Sequence, residues 1–198
     1  SHDHPVERLT LAGILAESSN PGTVQVGEKI PKQVRYDYLR KFGFGQKSGL
    51  GLPGESAGIL HPADSWDGRT EYAVLFGQSV SVNAIQATSV FSTIANGGVR
   101  ATPSIVAGTT DERGELVPAE RPAPERVVSQ ETADTVLHMM ESVVEEGTGS
   151  SASVPGYRVA GKTGTAEAAG DDGRLSGCVA WCSGGGPAGA APGRVAGV

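Results

Sequence analysis

Residues 156–167 read GYRVAGKTGTAE, and two patterns overlap in this stretch. Its first eight residues fit G-x-x-x-x-G-K-[ST], the pattern of a loop whose backbone N–H groups cradle phosphate. The segment KTGTA at residues 162–166 instead fits a β-strand that carries a lysine and hydroxyls around a small residue. The two patterns place Lys162 in different structures, so the choice between them decides the fold.

The residues around this stretch argue against a phosphate loop. Such a loop follows an apolar strand and opens a helix at its Lys-Thr pair. Here the preceding residues 150–155, SSASVP, form a polar turn ending in proline, and Gly164 interrupts any helix after Thr163. We therefore predict a strand. Lys162 and the hydroxyls of Thr163 and Thr165 would line a cleft, and Gly164 would let a ligand backbone approach.

A second triplet, Ser18-Ser19-Asn20, supports the strand interpretation. It follows a predicted helix over residues 9–17 and precedes the K-T-G triplet, which is the order of these motifs in acyl-serine enzymes. Each triplet alone has an ordinary structural explanation, because K-T-G fits an exposed turn and Ser and Asn are favoured at helix ends. Together they predict one shared active site.

Composition excludes several classes of function. The chain has 198 residues and a formal net charge of −6, and it has no basic stripe, so we expect no nucleic-acid partner. No apolar run reaches the roughly 18 residues that span a bilayer, and the start of the chain has no signal-peptide pattern. We expect any membrane anchor to lie outside this chain. His2, His4, Cys178 and Cys182 do not form a convincing ligand pattern, so we predict no metal and no cofactor.

Hydrophobic periodicity and turn residues predict the remaining elements. Ser81 is predicted to cap a helix over residues 83–95, and Ser129 to cap an amphipathic helix that ends at Gly147. The other predicted elements are a helix over residues 31–42, a long loop over 43–67, a hairpin around 111–114 and strands over 158–165 and 175–182. Residues 184–198 are almost all Gly, Ala and Pro, and are predicted to form a disordered tail.

With these motifs in place, the sequence resembles the transpeptidase domain of class B penicillin-binding proteins, most closely the cell-division (septal) type. The resemblance covers residues 9–177 and implies an α/β penicillin-binding transpeptidase (β-lactamase-like) fold, with an incomplete antiparallel sheet flanked by helices. It implies a partial domain over residues 1–183 that lacks its N-terminal part. Besides the two triplets, the segments that carry the resemblance are YDYLRKFGFG at 36–45, GLGLPGE at 49–55, FGQSVSV at 76–82, IANGG at 94–98 and VEEGTG at 144–149.

The resemblance implies a role for each motif residue. Ser18 would shuttle protons, and Lys162 would supply positive charge with an unperturbed pKa of about 10.4; these two are the candidate catalytic residues. Asn20 would hydrogen-bond the substrate amide, while Thr163 and Thr165 would donate to the substrate carboxylate. The implied reaction is cross-linking of peptidoglycan stem peptides that end in D-Ala-D-Ala, at the extracytoplasmic face of the bacterial cell membrane. β-Lactams and divisome proteins are the other implied partners.

The nucleophile that the family carries in an S-x-x-K motif is missing, because no serine in this chain is followed three residues later by lysine. We therefore expect this chain to be a fragment that is inactive alone. Its Gly- and Ala-rich end also departs from the family, through either a frameshift or true divergence. The alternatives are a non-catalytic β-lactam sensor or binding module of the same fold and a D,D-carboxypeptidase. A class A β-lactamase fits less well because the two triplets lie far apart.

Overall fold

The computed structural model describes residues 8–169, 175–187 and 194–197. Within these ranges the chain combines helices with antiparallel strands. The helices are α1 (Leu11–Ala16), α2 (Asn20–Gly27), α3 (Lys32–Lys41), α4 (Thr70–Ala73), α5 (Ala84–Ala95) and α6 (Gln130–Glu145). The strands are β1 (Val99–Arg100), β2 (Gly108–Thr110), β3 (Leu116–Pro118), β4 (Glu125–Arg126), β5 (Tyr157–Ala169), β6 (Leu175–Pro187) and β7 (Arg194–Gly197).

The largest sheet has the order β5-β6-β7 and is antiparallel throughout. Lys162 lies in the middle of β5, opposite Cys182 of β6. The Lys-Thr pair is therefore part of a strand and does not open a helix, which excludes the phosphate loop. The predicted hairpin is also confirmed, because β2 pairs with β3 on either side of the turn at residues 111–114.

Helix α6 positions β5. Its apolar face packs against the strand, and Met140 of α6 and Ala160 of β5 belong to one buried cluster. An ion pair reinforces this packing, since the guanidinium of Arg158 on β5 lies 2.6 Å from the carboxylate of Glu141, which is nearly buried on α6. The Glu141 carboxylate raises the pKa of Arg158 through this hydrogen bond and its charge. The strand that carries Lys162 is thus held on a rigid helix.

A side chain caps the start of α1, α2, α5 and α6. Ser129 caps α6, as predicted from the sequence. The predicted cap at Ser81 is wrong: Ser81 pairs with Ile59 in an isolated β-bridge. The cap of α5 is Asn83, whose side chain and that of Gln86 form a reciprocal capping box.

Gln86 also fixes the long loop before α4. Its side-chain amide is buried and donates to the carbonyl oxygens of Gln46 at 2.7 Å and Ala57 at 2.9 Å. The loop is rich in glycine, and Gly58 must be glycine because its φ is +69° and a Cβ there would collide with the backbone of Ser81. The predicted ordered loop is therefore anchored at the start of α5 by the buried amide of Gln86 and by the amide of Asn83, which donates to the carbonyl oxygen of Ser56 at 2.8 Å.

The structure includes part of the Gly- and Ala-rich end. Strand β6 continues through residues 184–187, and β7 pairs with it from Arg194 to Gly197. Backbone hydrogen bonds between strands need no apolar side chains, so composition alone does not report such pairing. The rest of the predicted disordered tail lies outside the described residues, and the domain boundary after residue 183 stays a prediction.

Candidate active site

Ser18 lies at the junction of two helices. Helix α1 ends at Ala16, and Ser19 caps α2, which begins at Asn20 and has Pro21 in its first turn. The sequence predicts an end of helix here, and the structure adds that a second helix starts at once, because proline is tolerated in a first turn. To make this turn, Ser18 adopts a left-handed backbone with φ of +55°.

Lys162 joins the two motifs. Its Nζ donates hydrogen bonds to Ser18 Oγ at 2.7 Å and to the carbonyl oxygen of Thr163 at 2.9 Å, and it lies 3.4 Å from Thr163 Oγ1. The sequence predicts that the K-T-G strand comes within a side-chain length of the S-x-N triplet, and the contact with Ser18 confirms this. The ammonium thus lies between two hydroxyl oxygens.

The pKa of Lys162 is not at the ordinary value expected from the sequence. Burial lowers the pKa, because the half-buried ammonium is partly removed from water. A lowered pKa makes it easier for the ammonium to give up its proton than it would be for a lysine in water. Hydrogen-bonded to Ser18, the amine can therefore exchange a proton with a hydroxyl that is exposed to the cleft.

The other predicted site residues lie beside this pair. Asn20 is exposed and opens α2, and its side chain makes no hydrogen bond to any residue in the ranges described above. Gly164 is exposed and Thr165 follows it in β5, opposite Ala180 and Val179. The structure places the backbone of Thr165, so the role of its hydroxyl stays a prediction.

Sequence reasoning missed Thr148. Its backbone N–H donates to the carbonyl oxygen of Ala16 at 3.1 Å, and its Oγ1 lies 3.3 Å from the same oxygen. The Thr148 Oγ1 also lies 2.8 Å from Thr163 Oγ1. One residue thus contacts both the helix end before Ser18 and the K-T-G strand. The sequence offers no local signal for this, because a Gly-Thr pair after a helix is typical of an ordinary turn.

Gly147 allows this close approach, and we expect Gly147→Ala to destabilise the protein. A Cβ at Gly147 would collide with the carbonyl oxygen of Ala16 and lie 2.8 Å from its carbonyl carbon. Backbone atoms cannot rotate away, so we expect a loss of about 2 kcal/mol in the free energy of unfolding, measured by urea denaturation.

The matched control for this substitution is Gly13→Ala in α1. A Cβ there would meet its nearest neighbours at 3.5 Å, an ordinary contact distance. Alanine favours a helix by up to about 1 kcal/mol over glycine, so Gly13→Ala should be neutral or stabilising. Equal stability of the Gly147→Ala variant and the unmodified protein would contradict the close packing of residue 147 on Ala16.

Neither a metal centre nor a membrane span is evident in the described part of the chain. Its His, Cys, Asp and Glu side chains form no group of three or more that could bind a metal ion. Within the same ranges, every helix is too short or too polar to cross a bilayer.

Comparison with known proteins identifies relatives over most of the chain. The sequence profile of the penicillin binding protein transpeptidase domain matches residues 1–191. Penicillin-binding protein PbpB of Mycobacterium tuberculosis is 44% identical over 172 residues, which cover 83% of this chain and 25% of the relative. Peptidoglycan D,D-transpeptidase FtsI of Escherichia coli K12 is 36% identical over 182 residues, which cover 91% of this chain and 29% of the relative. The chain therefore spans about a quarter of the length of these relatives.

A solved structure agrees with this match. The crystal structure of penicillin binding protein 3 from Mycobacterium tuberculosis, complexed with aztreonam, superposes with a TM-score of 0.87 at 39% sequence identity. The superposition covers 94% of this chain and 44% of that one.

Proposed function

Since the chain belongs to the penicillin-binding protein transpeptidase domain family, we propose that the protein containing it is a peptidoglycan D,D-transpeptidase of cell-wall synthesis. The predicted family and fold class are confirmed by the sequence matches and by the structural match. The single observation that carries the proposal for this chain is the 2.7 Å contact between Lys162 Nζ and Ser18 Oγ. It joins the two motifs at one edge of the β5-β6-β7 sheet.

In the proposed reaction a serine oxygen attacks the carbonyl carbon between the two D-Ala residues of a stem peptide. The bond to the terminal D-Ala breaks, its nitrogen takes up a proton, and an acyl-serine ester forms. An amine of a second stem then attacks the ester, loses a proton and releases the serine. The attacking serine would belong to an S-x-x-K motif elsewhere in the protein, because this chain contains none.

This chain would bind the substrate and transfer protons. The hydrogen-bonded pair of Ser18 and Lys162 would pass protons to the leaving amine and from the attacking amine. The ammonium of Lys162 and the hydroxyls of Thr163 and Thr165 would bind the terminal carboxylate, and Asn20 would hydrogen-bond the substrate amide. The exposed Gly164 would let the peptide backbone lie against β5 as an added strand.

β-Lactams would acylate the same serine, because they resemble the donor peptide and carry an anionic group, a carboxylate in penicillins, for the Lys162 region. The structural relative complexed with aztreonam supports this part of the proposal. We further propose a septal role, with divisome proteins as partners and the domain on the extracytoplasmic face of the membrane. That part rests on the overall resemblance of the sequence to the cell-division (septal) type of this family.

The full-length product of the gene that encodes this chain tests the proposal. We expect it to be labelled covalently by a fluorescent penicillin and to release D-Ala from a stem pentapeptide, with a cross-linked product when an acceptor stem is present. Release of D-Ala without cross-linking would show a carboxypeptidase, and covalent labelling without D-Ala release would show a β-lactam sensor. Absence of both labelling and D-Ala release would refute an acyl-serine function.

A further inference from the structure

The Lys162 ammonium and the hydroxyls of Thr163 and Thr148 form a row of polar contacts that ends at the Ala16 carbonyl. Lys162 Nζ lies 3.4 Å from Thr163 Oγ1, which lies 2.8 Å from Thr148 Oγ1, which in turn lies 3.3 Å from the carbonyl oxygen of Ala16. This row of contacts begins at the ammonium that donates to Ser18 and ends at Ala16, two residues before Ser18. Thr148 is exposed and lies outside the apolar core.

The chemistry of the end groups fixes the direction of the protons. A carbonyl oxygen only accepts and an ammonium only donates, whereas each threonine hydroxyl has one proton to donate. If Thr148 donates to Ala16, Thr163 must donate to Thr148, and its proton points away from the cleft. If Thr148 donates to Thr163 instead, the Thr163 proton is released toward the cleft.

When no ligand is bound, only the first arrangement, in which Thr148 donates to Ala16 and Thr163 donates to Thr148, gives both threonine hydroxyls an acceptor within the protein. The second arrangement breaks the 3.3 Å hydrogen bond from the Thr148 hydroxyl to the Ala16 carbonyl oxygen. That oxygen still accepts from the backbone N–H of Thr148 at 3.1 Å, so changing from the first arrangement to the second costs little free energy. In the second arrangement Thr163 Oγ1 accepts from both Thr148 and Lys162, and this polarises its own O–H toward an acceptor in the cleft.

We propose that Thr148 is a positioning residue that holds the Thr163 hydroxyl and reverses its own hydrogen bond when an anionic ligand arrives. Thr148 does not contact the ligand. It keeps the Thr163 oxygen next to Lys162 and makes the Thr163 proton available to a ligand carboxylate. This inference rests on the proposed function, because it assumes that the carboxylate of a penicillin or a stem peptide is bound at Thr163.

The test compares penicillin with its methyl ester, which lacks the anionic carboxylate, on the full-length gene product. In Thr148→Val, which removes the hydroxyl and keeps the shape of the side chain, we expect the Kd of the non-covalent penicillin complex to rise about tenfold. The acylation rate constant and the Kd of the ester should change little. Thr148→Ser should restore tight binding, because serine keeps the hydroxyl.

Thr135→Val is the matched control. Thr135 is exposed on α6, and its hydroxyl donates only to its own helix, at the carbonyl oxygen of Glu131. This variant should bind penicillin as the unmodified protein does. If Thr148→Val does not fold, Thr148→Ala carries the same expectation.

Thr163→Val provides an independent readout. In a Thr163→Val background, Thr148→Val should cause no further loss of penicillin affinity, since its effect passes through the Thr163 hydroxyl. Equal losses for penicillin and ester, additive losses in the double variant, or no loss at all would each overturn the inference. If the unmodified protein takes no penicillin label, it is the proposed function that fails.

Discussion

The 198-residue polypeptide by itself is expected to take no covalent label from a fluorescent penicillin. Acylation needs a serine with an adjacent base, and no serine in the chain has a lysine three residues on. Loss of such a nucleophile costs on the order of 10⁶ in turnover, an effect larger than any single contact in the site could cause. The measurement is labelling followed by denaturing electrophoresis, with the full-length gene product in parallel.

Ser18 is the serine in this polypeptide that is best placed to react with a penicillin. It is exposed and accepts a hydrogen bond from Lys162, and an amine next to a hydroxyl can activate it. In the structure, however, the Ser18 oxygen accepts a hydrogen bond from the Lys162 ammonium, which draws electron density from the oxygen and makes it a weaker nucleophile. Covalent label on the polypeptide that disappears in Ser18→Ala would show that Ser18 is the nucleophile.

The polypeptide also has an apolar groove along α1, the helix that precedes Ser18. The groove lies between α1, α2 and α6, has a volume of about 300 Å³, and includes Leu11, Ile14, Val26 and Val136 in its lining. Leu11 is 53% exposed. Exposed apolar surface of this kind lowers the stability of the polypeptide. The free energy of unfolding should therefore be measured together with labelling, so that an unlabelled but folded polypeptide is distinguished from an unfolded one.

Substitution of Lys162 should have the second largest effect. In the full-length protein we expect Lys162→Ala to lower the acylation rate by about 10²- to 10⁴-fold, the usual contribution of a positioned proton donor. The variant loses the contacts with Ser18 and with both oxygens of Thr163. Lys29→Ala is the matched control: Lys29 is exposed in the turn after α2, so this variant should leave the rate unchanged.

The pH profile tests the same residue in a different way. Burial lowers the pKa of Lys162 below the ordinary value of 10.5. If the charged form is required, activity should fall as the pH rises through this lowered pKa, because the ammonium loses its proton there. Arginine keeps its proton up to about pH 12, so Lys162→Arg should remove this alkaline decline from whatever activity it retains. An identical decline in both proteins would assign the ionisation to another group.

Sequence reasoning succeeded where the physical cause is local. Ser129 caps α6 because its hydroxyl can accept from a backbone N–H three residues on, and the apolar period of α6 is visible in the sequence. The strand around Lys162 followed from the polar turn before it and from Gly164 after it. The true cap of α5 was also readable, since Asn83 and Gln86 have the spacing of a capping box.

The remaining features depend on contacts between distant parts of the chain. The lowered pKa of Lys162 reflects its burial, which no window of sequence reports. Thr148 acquires its importance only when α6 docks on the end of α1, because Ala16 and Thr163 come from opposite ends of the chain. Motif reasoning identified the residues of the S-x-N and K-T-G triplets, but not the residue that connects the two motifs.

At position 18 the residue that suits the left-handed backbone best differs from the residue that the proposed function needs. A non-glycine residue with a φ of +55° is strained, and glycine or asparagine would adopt this conformation at lower cost. In a library selected only for thermal stability, we expect Ser18→Gly and Ser18→Asn to be enriched, whereas selection for penicillin acylation should retain serine. Protein engineers who stabilise this domain by consensus or computation should therefore hold position 18 fixed, because glycine and asparagine would be more stable there but would remove the hydroxyl.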